Sequence, residues 1–268
     1  MKKNNNKNKS KSKSLNDDSI SLNKYISDSG FCSRREADTY IEHCRVTING
    51  RDAQKGNRVI EGDVVCIDGE PIKKKKKEDN FYIAFNKPKG ITCTTDQSDP
   101  NNIIDFIGYK KRIFPIGRLD KLSDGLIFLT NDGDVVNKIL RAGNGHEKEY
   151  KVQVDKPITK DFIDQMRNGV KILGTKTKKC FVEQETENRF KIILKQGLNR
   201  QIRRMCEALG YRVTILTRTR IMHILLKGIA PGTWRYFTDL EKKQMDDLIR
   251  NSSKTEDNSG LHSLEESE

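Results

Sequence analysis

The residues best placed to do chemistry lie in one short segment, Ile116-Gly117-Arg118-Leu119-Asp120-Lys121-Leu122-Ser123-Asp124-Gly125-Leu126, a loop that feeds directly into the apolar run Leu126 to Leu129. A carboxylate on a loop anchored by a rigid strand can attack carbon or move a proton. On its own Asp120 is weak evidence, because a loop aspartate more often forms a turn. Glycoside or nucleoside hydrolysis would want a second carboxylate across the scissile bond. The candidates are Asp124, which reads as a turn residue, and Asp132, which reads as a helix cap. No Gly-rich phosphate loop is present, and Cys32, Cys44, Cys66, Cys93, Cys180 and Cys206 are scattered without a CxxC pair or a Cys/His cluster. Neither a cofactor, a metal nor a disulfide framework is therefore expected.

The elements that must position Asp120 follow from periodicity. Phe81 to Phe85 reads as a strand stopped by the turn Asn86-Lys87-Pro88-Lys89-Gly90, and Leu126 to Leu129 as a central strand buried on both faces. Asp132 to Arg141 reads as a helix. Glu149 to Val154, Val170 to Leu173, Lys179 to Glu183, Arg189 to Leu194 and Tyr211 to Leu216 are further strands. In Asn199 to Leu209, the residues Ile202, Met205, Cys206 and Leu209 form a buried helical face, with Arg203 on its flank and Arg204 pointing away. Thr238-Asp239-Leu240-Glu241 is a capping box that opens a final helix to about Arg250. Strands outnumber helices and do not alternate strictly with them, so the fold class is α+β with a mixed, mainly antiparallel sheet flanked by helices.

Ahead of this region lies a smaller module. Leu22, Tyr25 and Ile26 fall at helical spacing, and Ser33-Arg34-Arg35-Glu36 caps a second helix whose apolar face is Ala37, Tyr40 and Ile41. Val46 and Ile48 lead into the turn Asn49-Gly50, and Gly62 to Ile67 reads as a short strand. The expected organisation is a disordered basic arm at 1–20, the module at 21–70, a lysine-rich linker at 71–80 carrying Lys73 to Lys77, the larger domain at 81–250 and a disordered acidic tail at 251–268.

The chain has 268 residues and a formal net charge of +13, with a pI near 9.4. A surplus of that size is the electrostatic footprint of a polyanionic partner, with nucleic acid favoured over an anionic membrane. No apolar run approaches the ~20 residues of a membrane span, and the Lys/Asn/Ser-rich start has no apolar core for a secretory signal. A cytosolic monomer is expected.

Four blocks, "NKPKG", "GRLDKLSDGLIFLTNDGD", "KEYKVQV" and "GLNRQIRRMCEALGYRVTILTRTRIMHI", resemble in order the motifs of the RsuA family of ribosomal RNA pseudouridine synthases. The wording "NIIDFI", "DGDVVNKILRAGNGHEKEY" and "GLNRQIRRMCE" is most similar to the RluF-type, large-subunit subgroup. "LNKYISDSGFCSRREADTYIEHCRVTING" through "GDVVCIDG" resembles the alpha-L RNA-binding domain. These resemblances imply an isomerase that flips a uridine of 23S ribosomal RNA and converts it to pseudouridine without a cofactor, with transfer RNA as a candidate second substrate.

They also imply roles. Asp120 corresponds to the catalytic aspartate, which either attacks the ribose C1′ or removes the 2′ proton so that a glycal forms. Tyr150 corresponds to the tyrosine that stacks on the target base, against the alternative of a core strand residue. Arg203 corresponds to the basic partner of the aspartate. Arg118 corresponds to the arginine that fills the space of the flipped base, against the alternative of a loop-anchoring ion pair. In the alpha-L family, basic residues of the second helix and the following turn meet phosphates, which singles out Lys24, Arg34, Arg35 and Arg45. Arg204, pointing away from the buried face, is the better placed for phosphates; Lys87 and Arg200 are lesser candidates for phosphate contact, read as surface charges rather than catalysts. A non-catalytic RNA-binding relic would be expected to lack Asp120, Tyr150 or Arg203, and all three are present.

Overall fold

The computed structural model describes residues 19–73, 80–141 and 144–250. Most of the expected basic arm, most of the lysine-rich linker and the acidic tail lie outside the described residues; Ile20, expected in the arm, pairs as a strand with Val59. The chain divides into two compact units, Met1–Asp79 and Asn80–Glu268.

The smaller unit runs β1 (Ile20–Ser21), α1 (Leu22–Asp28), α2 (Arg34–Glu42), β2 (Val46–Ile48), β3 (Arg51–Asp52), β4 (Arg58–Val59), β5 (Val65–Ile67) and β6 (Glu70–Pro71). Ser33 caps α2 as expected: its hydroxyl accepts from the Glu36 amide and the Glu36 carboxylate accepts from the Ser33 amide. Asn49 and Gly50 both take positive φ, 52° and 77°, the backbone a two-residue hairpin needs to join β2 to β3. Leu22, Ile26, Ala37, Ile41, Val46, Val65 and Ile67 close one small core. The expected strand from Gly62 is shorter and begins at Val65, because the preceding residues turn: Asp63 accepts from the Ile60 amide and the Asn49 side chain.

The larger unit runs β7 (Tyr82–Lys87), α3 (Ile103–Ile107), β8 (Phe114–Ile116), β9 (Asp124–Thr130), α4 (Gly133–Leu140), β10 (Lys148–Val154), α5 (Lys160–Asn168), β11 (Lys171–Ile172), β12 (Thr175–Lys176), β13 (Phe181–Thr186), β14 (Arg189–Leu194), α6 (Gln201–Ala208), β15 (Val213–Ile221), β16 (Ile224–Leu225), β17 (Trp234–Tyr236) and α7 (Asp239–Ile249). A nine-stranded sheet has the order β13-β14-β10-β15-β9-β7-β17, with β8 on β9 and β16 on β15. Only the β9–β15 pairing within it is parallel, so the sheet is mixed and mainly antiparallel, and the fold is α+β.

Strand β9 is central and buried on both faces: Leu126, Ile127, Phe128 and Leu129 are all fully buried. Leu126 and Phe128 enter one core with Ile139, Met245 and Ile249 of the helices, while Ile127 and Leu129 enter another with Ile91, Ile103 and Leu119. Each such side chain stabilises the fold by roughly 1.5–3 kcal/mol. A third core joins β10, β14, α5 and α6 through Val152, Phe162, Met166, Phe190 and Met205.

Several boundaries of this unit differ from the sequence reading, and β13 runs Phe181–Thr186 where Lys179 to Glu183 was expected. β7 continues through Asn86 and Lys87, which were expected in the turn, because Gly125 and Leu126 still offer ladder partners there. β15 runs to Ile221 rather than ending at Leu216, held by pairing with β10 and β9. Val170 to Leu173 shrinks to the two residues of β11, in a hairpin with β12 turned at Leu173 and Gly174. Among the described residues no helix is long and apolar enough to cross a membrane.

Candidate active site

Strand register builds the floor of the site. Lys87 of β7 pairs with Gly125 of β9, Gly125 with Arg218 of β15, and Arg218 with Tyr150 of β10. Four adjacent strands thus place Lys87, Gly125, Arg218 and Tyr150 in one row. The middle position has to be glycine, with φ +103°, since a Cβ there would stand 2.3 Å from the Arg218 carbonyl oxygen.

The Asp120 loop enters β9 at this row and is pinned from several directions. The Leu119 amide donates to Cys93 Sγ at 3.3 Å, the Gly90 amide to the Lys121 carbonyl at 2.8 Å, and the Ser123 amide to the Asp120 carbonyl at 2.9 Å. From α6, Arg203 Nη2 donates to Ser123 Oγ at 3.1 Å and to the Leu122 carbonyl at 3.3 Å, while Nη1 reaches the Val213 carbonyl at 3.2 Å. One buried arginine therefore ties the loop to both α6 and β15.

Arg203 Nε lies 3.4 Å from Asp120 Oδ2, and Arg200 Nη1 lies 3.9 Å from the same oxygen. The Arg203 contact is an ion pair without hydrogen-bond alignment, and Nε has no hydrogen-bond partner among the described residues. Asp120 retains 28% of its side-chain exposure against 8% for Arg203, so the carboxylate faces outward with the guanidinium behind it. Arg200 is the cap of α6 and holds a left-handed backbone, φ +47°, uncommon for a residue with a side chain. That conformation starts the helix where Arg200 reaches Asp120.

Tyr150 is half-buried, packed against two cores, with the Arg218 guanidinium carbon 6.0 Å from its ring centroid. Arg118 is exposed and makes no ion pair or hydrogen bond with the described residues, so it does not anchor the loop by an ion pair.

Two expectations need correction. Lys87 is not a surface charge: it is fully buried, out of reach of a phosphate, and its Nζ donates to the Pro88 and Ile91 carbonyls at 2.8 Å each. Burial lowers its pKa, opposed by the neighbouring Cys93, Asp124 and Asp120. Arg200 is exposed, as read, and its guanidinium also lies beside Asp120. Arg204 does not point freely away: it is half-buried, and Nη2 donates to Asn199 Oδ1 at 3.3 Å.

Sequence reasoning missed Arg218 and Lys148, both buried cations. Arg218 donates from Nε to the Leu126 carbonyl at 2.6 Å, and its buried Nη2 has no partner among the described residues. The signal was alternation, since Leu216 and Arg218 share a face once β15 is extended past Leu216. In the smaller unit, Arg34 and Arg35 are exposed at the first turn of α2. Lys24 pairs with Asp28 at 2.8 Å, and Arg45 makes a two-pronged contact with Asp68 at 2.7 and 2.5 Å.

A family model described as RNA pseudouridylate synthase matches residues 81–208, and one described as S4 domain matches 21–65. The dual-specificity RNA pseudouridine synthase RluF of Escherichia coli (strain K12) is 59% identical over 239 residues, 89% of this chain and 82% of the relative. The chain belongs to the RNA pseudouridine synthases. Another relative of the synthase, ribosomal large subunit pseudouridine synthase B of Bacillus subtilis (strain 168), is 31% identical over 84% of this chain and 94% of its own. A solved pseudouridylate synthase superposes with a TM-score of 0.62 at 26% identity, covering 85% of this chain and 99% of that one. The synthase is thus an isomerase acting on RNA, of RluF type, with an S4 domain ahead of its synthase fold.

Proposed function

We propose that the synthase isomerises a uridine of large-subunit ribosomal RNA and takes transfer RNA as a second substrate, acting as a cytosolic monomer, with Asp120, Tyr150 and Arg203 carrying the reaction. The observation that carries this reading is the 3.4 Å pairing of Asp120 with buried Arg203 at the head of β9, beside the row that ends in Tyr150. The choice of RNA is supported by the relatives, one a dual-specificity RNA pseudouridine synthase and one a ribosomal large subunit pseudouridine synthase.

The reaction breaks the N1–C1′ bond, turns the freed uracil and forms the C5–C1′ bond. The C5 proton leaves and N1 gains one, so the product is an isomer. A half-exposed Asp120 can reach the ribose to attack C1′ or take the 2′ proton, and in either route the two guanidinium groups stabilise its negative charge. Tyr150 offers a ring face to the flipped base, and unpaired Arg118 can stack where that base stood. Arg34 and Arg35 supply phosphate contacts from the S4 domain.

Asp120→Asn is expected to bind ribosomal RNA with wild-type affinity and to form no pseudouridine, measured by mapping modified sites after incubation with unmodified RNA. Turnover by that variant would remove Asp120 from the chemistry.

A further inference from the structure

Away from Asp120, the open end of the large sheet carries a closed circuit of aromatic rings. Phe81 and Tyr109 have centroids 5.2 Å apart, Tyr109 and Trp234 5.7 Å, Trp234 and Tyr236 5.3 Å, and Tyr236 and Phe81 6.2 Å. The Tyr109 and Tyr236 hydroxyls share a hydrogen bond at 2.7 Å. Phe106 lies close by, since a Cβ on Gly232, two residues before Trp234, would stand 3.6 Å from its Cζ. Phe106 is 45% exposed and Tyr236 48%, which is unusual for large rings that could have been buried.

Two further facts indicate what these rings meet. Trp234 pairs with Phe85 and Tyr236 with Ile83, positions that enter the core on the face carrying Ile127 and Leu129, and Tyr150 packs against that same core. β17 is four strand spacings from β10, roughly 19 Å. An RNA strand with one uridine flipped onto Tyr150 can therefore extend its flanking nucleotides toward the rings. The local charge also suits RNA: Lys110, Lys111 and Arg112 directly follow Tyr109 and are exposed. Of the acids on these elements, Glu241 is engaged by both prongs of Arg235 at 2.7 Å and Asp105 by Asn102 at 2.6 Å. Stacking faces beside a run of cations are what single-stranded nucleic acid requires, because every base has a π-face and every nucleotide a phosphate.

We propose that Phe106, Tyr109, Trp234 and Tyr236, with Lys110, Lys111 and Arg112, form a docking platform for single-stranded RNA flanking the target uridine. The proposal rests on the reading of an RNA-modifying active site at Asp120 and adds a second, non-catalytic contact to it.

The chain contains one tryptophan, so Trp234 is the only indole reporter in the intact protein. An oligouridylate of about ten nucleotides is expected to quench its fluorescence saturably and less well at high salt. Heparin, a polyanion without bases, is expected to leave the fluorescence unchanged. In the full chain, Phe106→Ala/Tyr236→Ala should weaken oligouridylate binding by about 5- to 100-fold and raise KM for a ribosomal RNA fragment with kcat unchanged. Tyr236→Phe, which keeps the ring, should restore most of the affinity. Equal quenching by heparin, or unchanged affinity and KM in the double variant, would overturn the platform while an active wild-type chain leaves the catalytic reading standing. A wild-type chain that binds but forms no pseudouridine would instead overturn the catalytic reading. A dimer seen by sedimentation in the wild type and lost in the double variant would assign the rings to a second copy and overturn the RNA platform.

Discussion

Asp120 stands between two arginines that differ in freedom. Arg203 is held by three carbonyl and hydroxyl acceptors and barely touches solvent, so its charge is fixed behind the carboxylate. Arg200 keeps 42% of its side-chain exposure and can move with an incoming strand. Lys148 is a contrasting cation, 7% exposed, whose one side-chain hydrogen bond among the described residues is to the His146 carbonyl at 3.4 Å. Burial, reinforced by the Arg218 guanidinium, lowers its pKa from 10.5 to about 8. Below pH 8 both folded and unfolded chains carry the charge, and the folded state bears the full cost of holding it. Between pH 8 and 10.5 the folded state releases the proton first, so stability relative to a neutral side chain recovers as pH rises. Lys148→Met is therefore expected to stabilise the fold by about 1–3 kcal/mol at pH 7 and by little near pH 10.5, read from paired thermal unfolding curves. A gain that is absent at pH 7, or equal at both pH values, would show that Lys148 bears no such cost.

At the scale of elements, the site depends on how closely β15 approaches β9. The parallel pairing sets the Arg218 backbone against Gly125, where a Cβ would meet the carbonyl oxygen at 2.3 Å and the amide nitrogen at 2.7 Å, at a backbone angle that already favours glycine. Gly125→Ala is expected to cost about 2–5 kcal/mol, from strain and overpacking together, measured as a lower denaturant midpoint. Gly133→Ala is the control: its added Cβ would meet Phe114 at an ordinary 3.6 Å, and it should be close to neutral. The sequence makes β9 and α6 legible because each has one strong signal, a continuous apolar run in β9 and an i, i+3, i+4 face in α6. The same helical face put Arg203 on the flank toward the carboxylate. β15 was legible only to Leu216, since Thr217, Thr219 and Arg220 break the apolar pattern and the strand persists through its partners. That early stop hid Arg218. Lys87 was misplaced for a similar reason: Pro88 suggests a turn, but the ladder to β9 runs one residue further and takes the lysine inside.

For the molecule as a whole, the surplus of +13 gives attraction to RNA without saying which charges do the work. Local pairing sorts them. In the smaller unit Lys24 is paired with Asp28 and Arg45 with Asp68, and the Asp68 contact raises the Arg45 pKa still further, so these two cations are already partly neutralised. Arg34 and Arg35 make no ion pair among the described residues and stand at the first turn of α2, where the helix end is also positive. A phosphate contact releases bound counterions, and each contact contributes about 0.7–0.9 to the slope of log affinity against log salt. Arg34→Glu/Arg35→Glu in the full chain should therefore flatten that slope by about 1.4–1.8 and weaken ribosomal RNA binding at low salt by more than tenfold, with kcat unchanged at saturating RNA. Lys24→Ala should change the slope much less, because Asp28 already holds the charge. Filter binding across a salt series reads both. Equal slopes in the wild type and the double variant would mean that α2 does not meet phosphate, leaving the larger unit to supply the electrostatic part of RNA binding.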